Sequence, residues 1–128
     1  MKYARSGFGR RIGLAFQLLD DVLDVSGPAE RTGKHRGTDL LDGTVTLPLI
    51  LARAEDPGLT RLDLRAVTTR AQAEEICDRI AATGALAETR ARAAELLARA
   101  KETVRGDVDA GLERTLQAVA DQVADRYE

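Results

Sequence analysis

The strongest constraint on the fold lies between Gly13 and Asp24, where an apolar segment carries three aspartates and no cation. Spaced at 100° per residue, Leu14, Ala15, Leu18, Leu19, Val22 and Leu23 fall on one broad arc of a helix. Gln17, Asp20, Asp21 and Asp24 share the remaining narrow arc, together with Gly9 and Gly13. A solvated helix face normally mixes charge signs, because like charges at i, i+4 cost a few tenths of a kcal/mol and opposite charges gain about as much. Asp20 and Asp24 are such a like pair, and Asp21 adds a third negative charge beside them. Aspartate is also a mediocre helix former. Carboxylates one turn apart, roughly 6 Å along the axis, can hold a hard divalent cation. Mg²⁺ is favoured when water and phosphate oxygens complete its shell. The two glycines leave room on the same face for a ligand to approach the backbone.

The rest of the chain reads as helix. Its 128 residues fit one domain with a modest core. Ala, Leu, Arg, Glu and Asp dominate, and aromatics make up only 3%, a balance that favours an all-α class. The net charge of −2 gives no electrostatic footprint for nucleic acid. The single cysteine, Cys77, excludes an internal disulfide and suits a reducing compartment. No apolar run approaches the roughly 20 residues of a transmembrane segment, and the first 15 residues carry too many charges and glycines for a signal peptide. A cytoplasmic protein is therefore expected.

In chain order, the pattern predicts a helix over residues 3–24, broken at Gly27-Pro28, and then a loop to Gly43. Thr46 reads as the N-cap of a second helix, with Pro48 in its first turn, running to about Ala54 and ended by Asp56-Pro57-Gly58. A weak helical turn is expected within 60–67. Thr69 then caps a helix with the stripe Ala73, Ile76, Cys77, Ile80 and Ala81, closed by Gly84 at C′. Ala93, Leu96, Leu97, Ala100 and Val104 mark the next helix, broken near Gly106. Leu112, Leu116, Val119, Ala120, Val123 and Tyr127 mark the last. Three closing helices with one apolar stripe each argue a bundle. The chemistry is concentrated before residue 50, and 51–128 supply packing helices.

Beyond the acidic arc, the loop holds a basic cluster of Arg31, Lys34, His35 and Arg36, followed by Asp39 and Asp42. A metal on the carboxylates would recruit phosphate, and phosphate recruits cations. Lys34 is either such a contact or a solvated loop lysine. His35 reads as a surface histidine, having no second histidine to join it. Asp39 either turns the chain or meets a metal-bound water. Phe16 borders the polar arc and is either core or an aromatic face for an apolar tail or a passing carbocation. Gln17 can orient a phosphate oxygen or water. Cys77 lies on an apolar stripe and reads as an inert buried thiol.

Gly13-Leu14-Ala15-Phe16-Gln17 running into Asp20-Asp21-Val22-Leu23-Asp24, then Thr32-Gly33-Lys34, Gly37-Thr38-Asp39-Leu40 and Gly43-Thr44-Val45-Thr46-Leu47-Pro48, resembles the second aspartate-rich region of the trans-isoprenyl diphosphate synthases, or polyprenyl synthetases. The resemblance is specific over about residues 7–50 and more diffuse into Thr83-Gly84-Ala85-Leu86 and the last helix. It implies an all-α helical bundle, the C-terminal half of the isoprenoid synthase fold, spanning 1–128. It implies a prenyltransferase that condenses an allylic diphosphate with isopentenyl diphosphate after Mg²⁺-assisted ionisation. Asp20 would then ligate magnesium, with Asp21 and Asp24 holding the ion or its waters. Lys34 and Gln17 would contact the diphosphate, and Phe16 and Gln17 would line the site near the allylic carbon. The family's first aspartate-rich motif has no counterpart in this sequence, nor do the residues that hold isopentenyl diphosphate or most of those that set product length. Either a second protein chain is expected to complete the bundle, or the chain is a fragment whose apolar surfaces pair in a homo-oligomer. Two other expectations stand beside this one: a non-catalytic subunit that regulates or stabilises a synthase, and a terpene cyclase-like subunit.

Overall fold

The computed structural model describes residues 2–26, 36–104 and 110–126. All regular structure among them is helical, as the composition predicts. The helices are α1 (Lys2–Ser26), α2 (Thr38–Leu41), α3 (Leu47–Glu55), α4 (Pro57–Thr60), α5 (Arg70–Ala81), α6 (Ala85–Val104) and α7 (Ala110–Arg126), with a 3₁₀ turn at Leu64–Ala66. The residues divide into two compact units, Met1–Leu19 with Ala91–Glu128, and Asp20–Arg90. No helix among the described residues is long and apolar enough to cross a membrane.

The unit formed by Asp20–Arg90 has a core in which Val22 and Val25 of α1 join Leu40, Leu49, Ala52, Leu59, Ile76 and Ile80. Its helices begin where local chemistry dictates. Thr69 accepts the backbone N–H of Gln72 through its hydroxyl, while the Gln72 side chain takes the Thr69 N–H, a complete capping box. Thr46 holds the N-cap position of α3 in extended conformation, without a side-chain bond. Asp56 ends α3 and starts α4 directly, its carboxylate accepting the Gly58 N–H at 2.9 Å. The Arg79 guanidinium donates to both Asp56 oxygens, at 3.1 and 2.7 Å.

The other unit packs Phe8, Ala15 and Leu19 of α1 with Ala93, Leu97 and Ala100 of α6 and Ala120 of α7. Four of these seven are alanines, so backbones rather than large anchors set the spacing. Arg11 donates to the Thr103 hydroxyl at 2.9 Å. A Cβ at Gly7 would stand 3.0 Å from that guanidinium, so the glycine leaves the Arg11 side chain its path.

The sequence pattern misplaced several details. Leu14, expected on the packed arc, is 51% exposed, and Ala81 and Val119 also face outward. The loop to Gly43 contains the short helix α2. Gly84 does not adopt the left-handed geometry of a C′ glycine: α5 ends at Ala81 with Ala82 as its C-cap, and the Gly84 carbonyl instead accepts the Glu88 N–H at the start of α6. Periodicity sets which residues share a helical arc, but neighbouring elements decide how much of that arc is covered. Tyr127 and Gly106 lie outside the described residues.

Candidate functional site

Asp20, Asp21 and Asp24 stand on the C-terminal part of α1, within the unit Asp20–Arg90. Their environments differ. Asp20 is partly exposed, whereas Asp21 and Asp24 are buried, at 8% and 3% exposure. The polar arc is therefore solvent-facing only in part. Phe16 is half-buried and Gln17 exposed, one turn earlier on the same helix. Among the described residues nothing lies within 4 Å of where a Cβ on Gly9 or Gly13 would stand, so the backbone of that face is open as the sequence suggested. Lys34, Arg31 and His35 lie outside the described residues.

Asp24 is the hub of the turn. A helix leaves its last four carbonyls without intrahelical partners, and in α1 the Asp24 carbonyl accepts the Gly37 N–H at 2.8 Å. Oδ2 of the same residue accepts the Asp39 N–H at 3.1 Å. Gly37 makes this return with φ of +85°, and a Cβ there would stand 2.9 Å from the Ala73 Cβ and 3.4 Å from the Cys77 sulfur. Asp39 closes the following turn, its carbonyl accepting the Thr44 N–H at 2.8 Å.

Arg36, grouped by sequence with the phosphate-seeking cations, is engaged elsewhere. Its guanidinium pairs with Asp78 of α5 at 2.6 Å and makes longer 3.4 Å contacts to the carbonyls of Val25 and Glu74. The hydrogen bond to Asp78 holds the guanidinium above its ordinary value. Cys77 is fully buried, and desolvation pushes its thiol up to about 12, so the inert-thiol reading holds. Sequence reasoning missed Asp78. It is an unremarkable helix-surface aspartate whose partner lies 42 residues away, and its only local signal is its position one residue after the buried Cys77.

Three carboxylates supply only hard oxygen donors, which suits Mg²⁺. Among the described residues no three Asp, Glu, His or Cys side chains converge as a metal-binding group. The donor chemistry thus fits an ion that takes one or two protein carboxylates and completes its shell with phosphate oxygens and water. The acidic turn does not line the shallow pocket of about 220 Å³ that Leu59, Leu62, Val67, Ile76 and Arg79 surround in the same unit.

Residues 3–84 match the polyprenyl synthetase family model, a span that contains the acidic helix and the whole Asp24 turn. The chain belongs to the polyprenyl synthetase family. It is 36% identical over 98 residues to the mitochondrial hexaprenyl pyrophosphate synthase of Saccharomyces cerevisiae, covering 77% of this chain and 21% of that one. Over 49 residues it is 47% identical to heptaprenyl diphosphate synthase component 2 of Geobacillus stearothermophilus, 38% of this chain and 15% of the relative. The crystal structure of a polyprenyl synthase from Caulobacter crescentus, complexed with calcium and isoprenyl diphosphate, superposes with a TM-score of 0.83 at 33% identity. That match covers 98% of this chain and 40% of the solved one. The chain thus spans about a fifth of the yeast synthase and two fifths of the Caulobacter enzyme.

Proposed function

We propose that this chain supplies the second aspartate-rich part of a prenyl diphosphate synthase site, a prenyltransferase condensing an allylic diphosphate with isopentenyl diphosphate. The observation that carries the reading is the carboxyl end of α1, where Asp20 is partly exposed beside the buried Asp21 and Asp24. Asp20 would hold Mg²⁺, with Asp21 and Asp24 holding the ion or its waters. The ion, when bound, draws charge from the allylic diphosphate so that it can leave as pyrophosphate. Gln17 orients a diphosphate oxygen or water through its amide. Phe16 offers an aromatic face to positive charge developing at the allylic carbon. Lys34 contributes a compact cation to the diphosphate.

A second protein chain completes the bundle with the first aspartate-rich motif. The relative named as a component of a heptaprenyl diphosphate synthase supports a two-chain arrangement. The test is Mg²⁺-dependent pyrophosphate release from an allylic diphosphate and isopentenyl diphosphate, with and without the co-purified partner. Asp20→Ala is expected to lower that rate by about a hundredfold or more, the scale seen when a group stabilising transition-state charge is removed. An unchanged rate in the Asp20→Ala complex would remove Asp20 from the site.

A further inference from the structure

The carboxyl end of α1 is capped by a segment that is itself tied down from a third element. The carbonyls of Asp24 and Val25 belong to the last turn of α1, where partners must come from outside the helix. Gly37 donates to the first at 2.8 Å, and the Arg36 guanidinium reaches the second at 3.4 Å. A cation there also meets the negative end of the helix dipole, and α1 has no basic residue of its own in its last turn. Arg36 is held in place by Asp78 at 2.6 Å and by the Glu74 carbonyl at 3.4 Å, both on α5. Its side chain is only 26% exposed. Gly37, the next residue, and Asp39, two further on, both hydrogen-bond to Asp24 through their backbone N–H groups.

From this chain of contacts we infer that Asp78 is a positioning residue, acting through Arg36 to hold Gly37 and Asp39 on Asp24 and so to set the acidic turn. The pair is suited to the task because a guanidinium fork serves a carboxylate and two carbonyls together, which a lysine does not. Its effect on overall stability is small, since Asp78 is 69% exposed and such pairs contribute little. The metal-facing consequence rests on the function proposed above, whereas the clamp itself does not.

The test compares Asp78→Ala, Asp78→Glu and Arg36→Lys with Asp63→Ala, which removes an exposed pair to Arg65 in the same unit. Amide hydrogen exchange at Gly37 and Asp39 is the first readout. Asp78→Ala and Arg36→Lys are expected to speed exchange at those two amides by about two- to fivefold, with α3 and α6 unaffected. Asp78→Glu restores part of the protection, and Asp63→Ala changes nothing there. Calorimetric titration with MgCl₂ and inorganic pyrophosphate is the second readout, and Asp78→Ala should weaken that binding by a similar factor. Unchanged exchange at Gly37 and Asp39 overturns the inference, as does acceleration spread evenly over Asp20–Arg90. Wild-type protein that binds no magnesium pyrophosphate, alone or with its partner, counts against the proposed function while the exchange result still decides the clamp. Local loss of protection with undiminished binding overturns the link to the acidic turn.

Discussion

Replacing Gly37 with alanine gives a direct measure of how tightly the acidic turn is built. The backbone there has φ of +85°, a conformation that costs an L-residue about 1–2 kcal/mol. The new methyl would also stand 2.9 Å from the Ala73 Cβ, below any ordinary carbon contact. Neither partner can swing away, because Ala73 is fully buried at the start of the α5 stripe and its Cβ is fixed by the helix. Relieving that overlap by backbone movement costs about 1–3 kcal/mol, as overpacking in a core does. The loss of unfolded-state freedom on going from glycine to alanine offsets about 0.4–1 kcal/mol. The net expectation is a destabilisation of roughly 2–4 kcal/mol, read as a fall of about 1–2 M in the urea midpoint for a slope typical of small proteins. Gly13→Ala is the control. It lies inside α1, nothing among the described residues lies within 4 Å of its Cβ position, and the change should stabilise by up to about 1 kcal/mol. If Gly37→Ala shifts the midpoint by no more than the control does, in either direction, the turn is not packed as described.

Other expectations follow from the same unit. Thr69→Ala removes the side-chain half of the capping box on α5 and should cost about 1 kcal/mol by urea denaturation. Cys77 should resist iodoacetamide at pH 8.5 until the protein is denatured. Its thiol keeps the proton to about pH 12 when folded but ionises near 9.0 when exposed, so stability is full below pH 9 and falls as pH rises towards 12; Cys77→Ala should lose that alkaline slope in thermal melts. The Arg79 hydrogen bonds hold Asp56 below the usual 3.8, so its contribution is present above that pH and is lost on acidification through the folded value. Asp56→Asn keeps an oxygen for the Gly58 N–H and should flatten the acid limb of a melting curve against pH.

What the sequence determined by itself is local. Thr69 caps the helix that follows it, and Ala73, Ile76, Cys77 and Ile80 share one side of that helix whatever packs against them. The acidic arc on α1 was legible for the same reason, since helix geometry alone brings Gln17, Asp20 and Asp24 to one side. Tertiary structure decided how that arc is used. In the fold Asp21 and Asp24 are buried and Asp20 is partly open, a difference that no periodicity encodes. The fold also converts Arg36 from a loop cation near an anion site into the clamp on Asp78, across 42 residues of sequence. Leu14 shows the same limit from the other side: its place on the apolar arc is set by the helix, but its exposure of 51% depends on what lies opposite. Backbone hydrogen bonding makes arcs from nearest neighbours in the chain, and only the packing of distant segments assigns each residue on an arc to solvent, core or ligand.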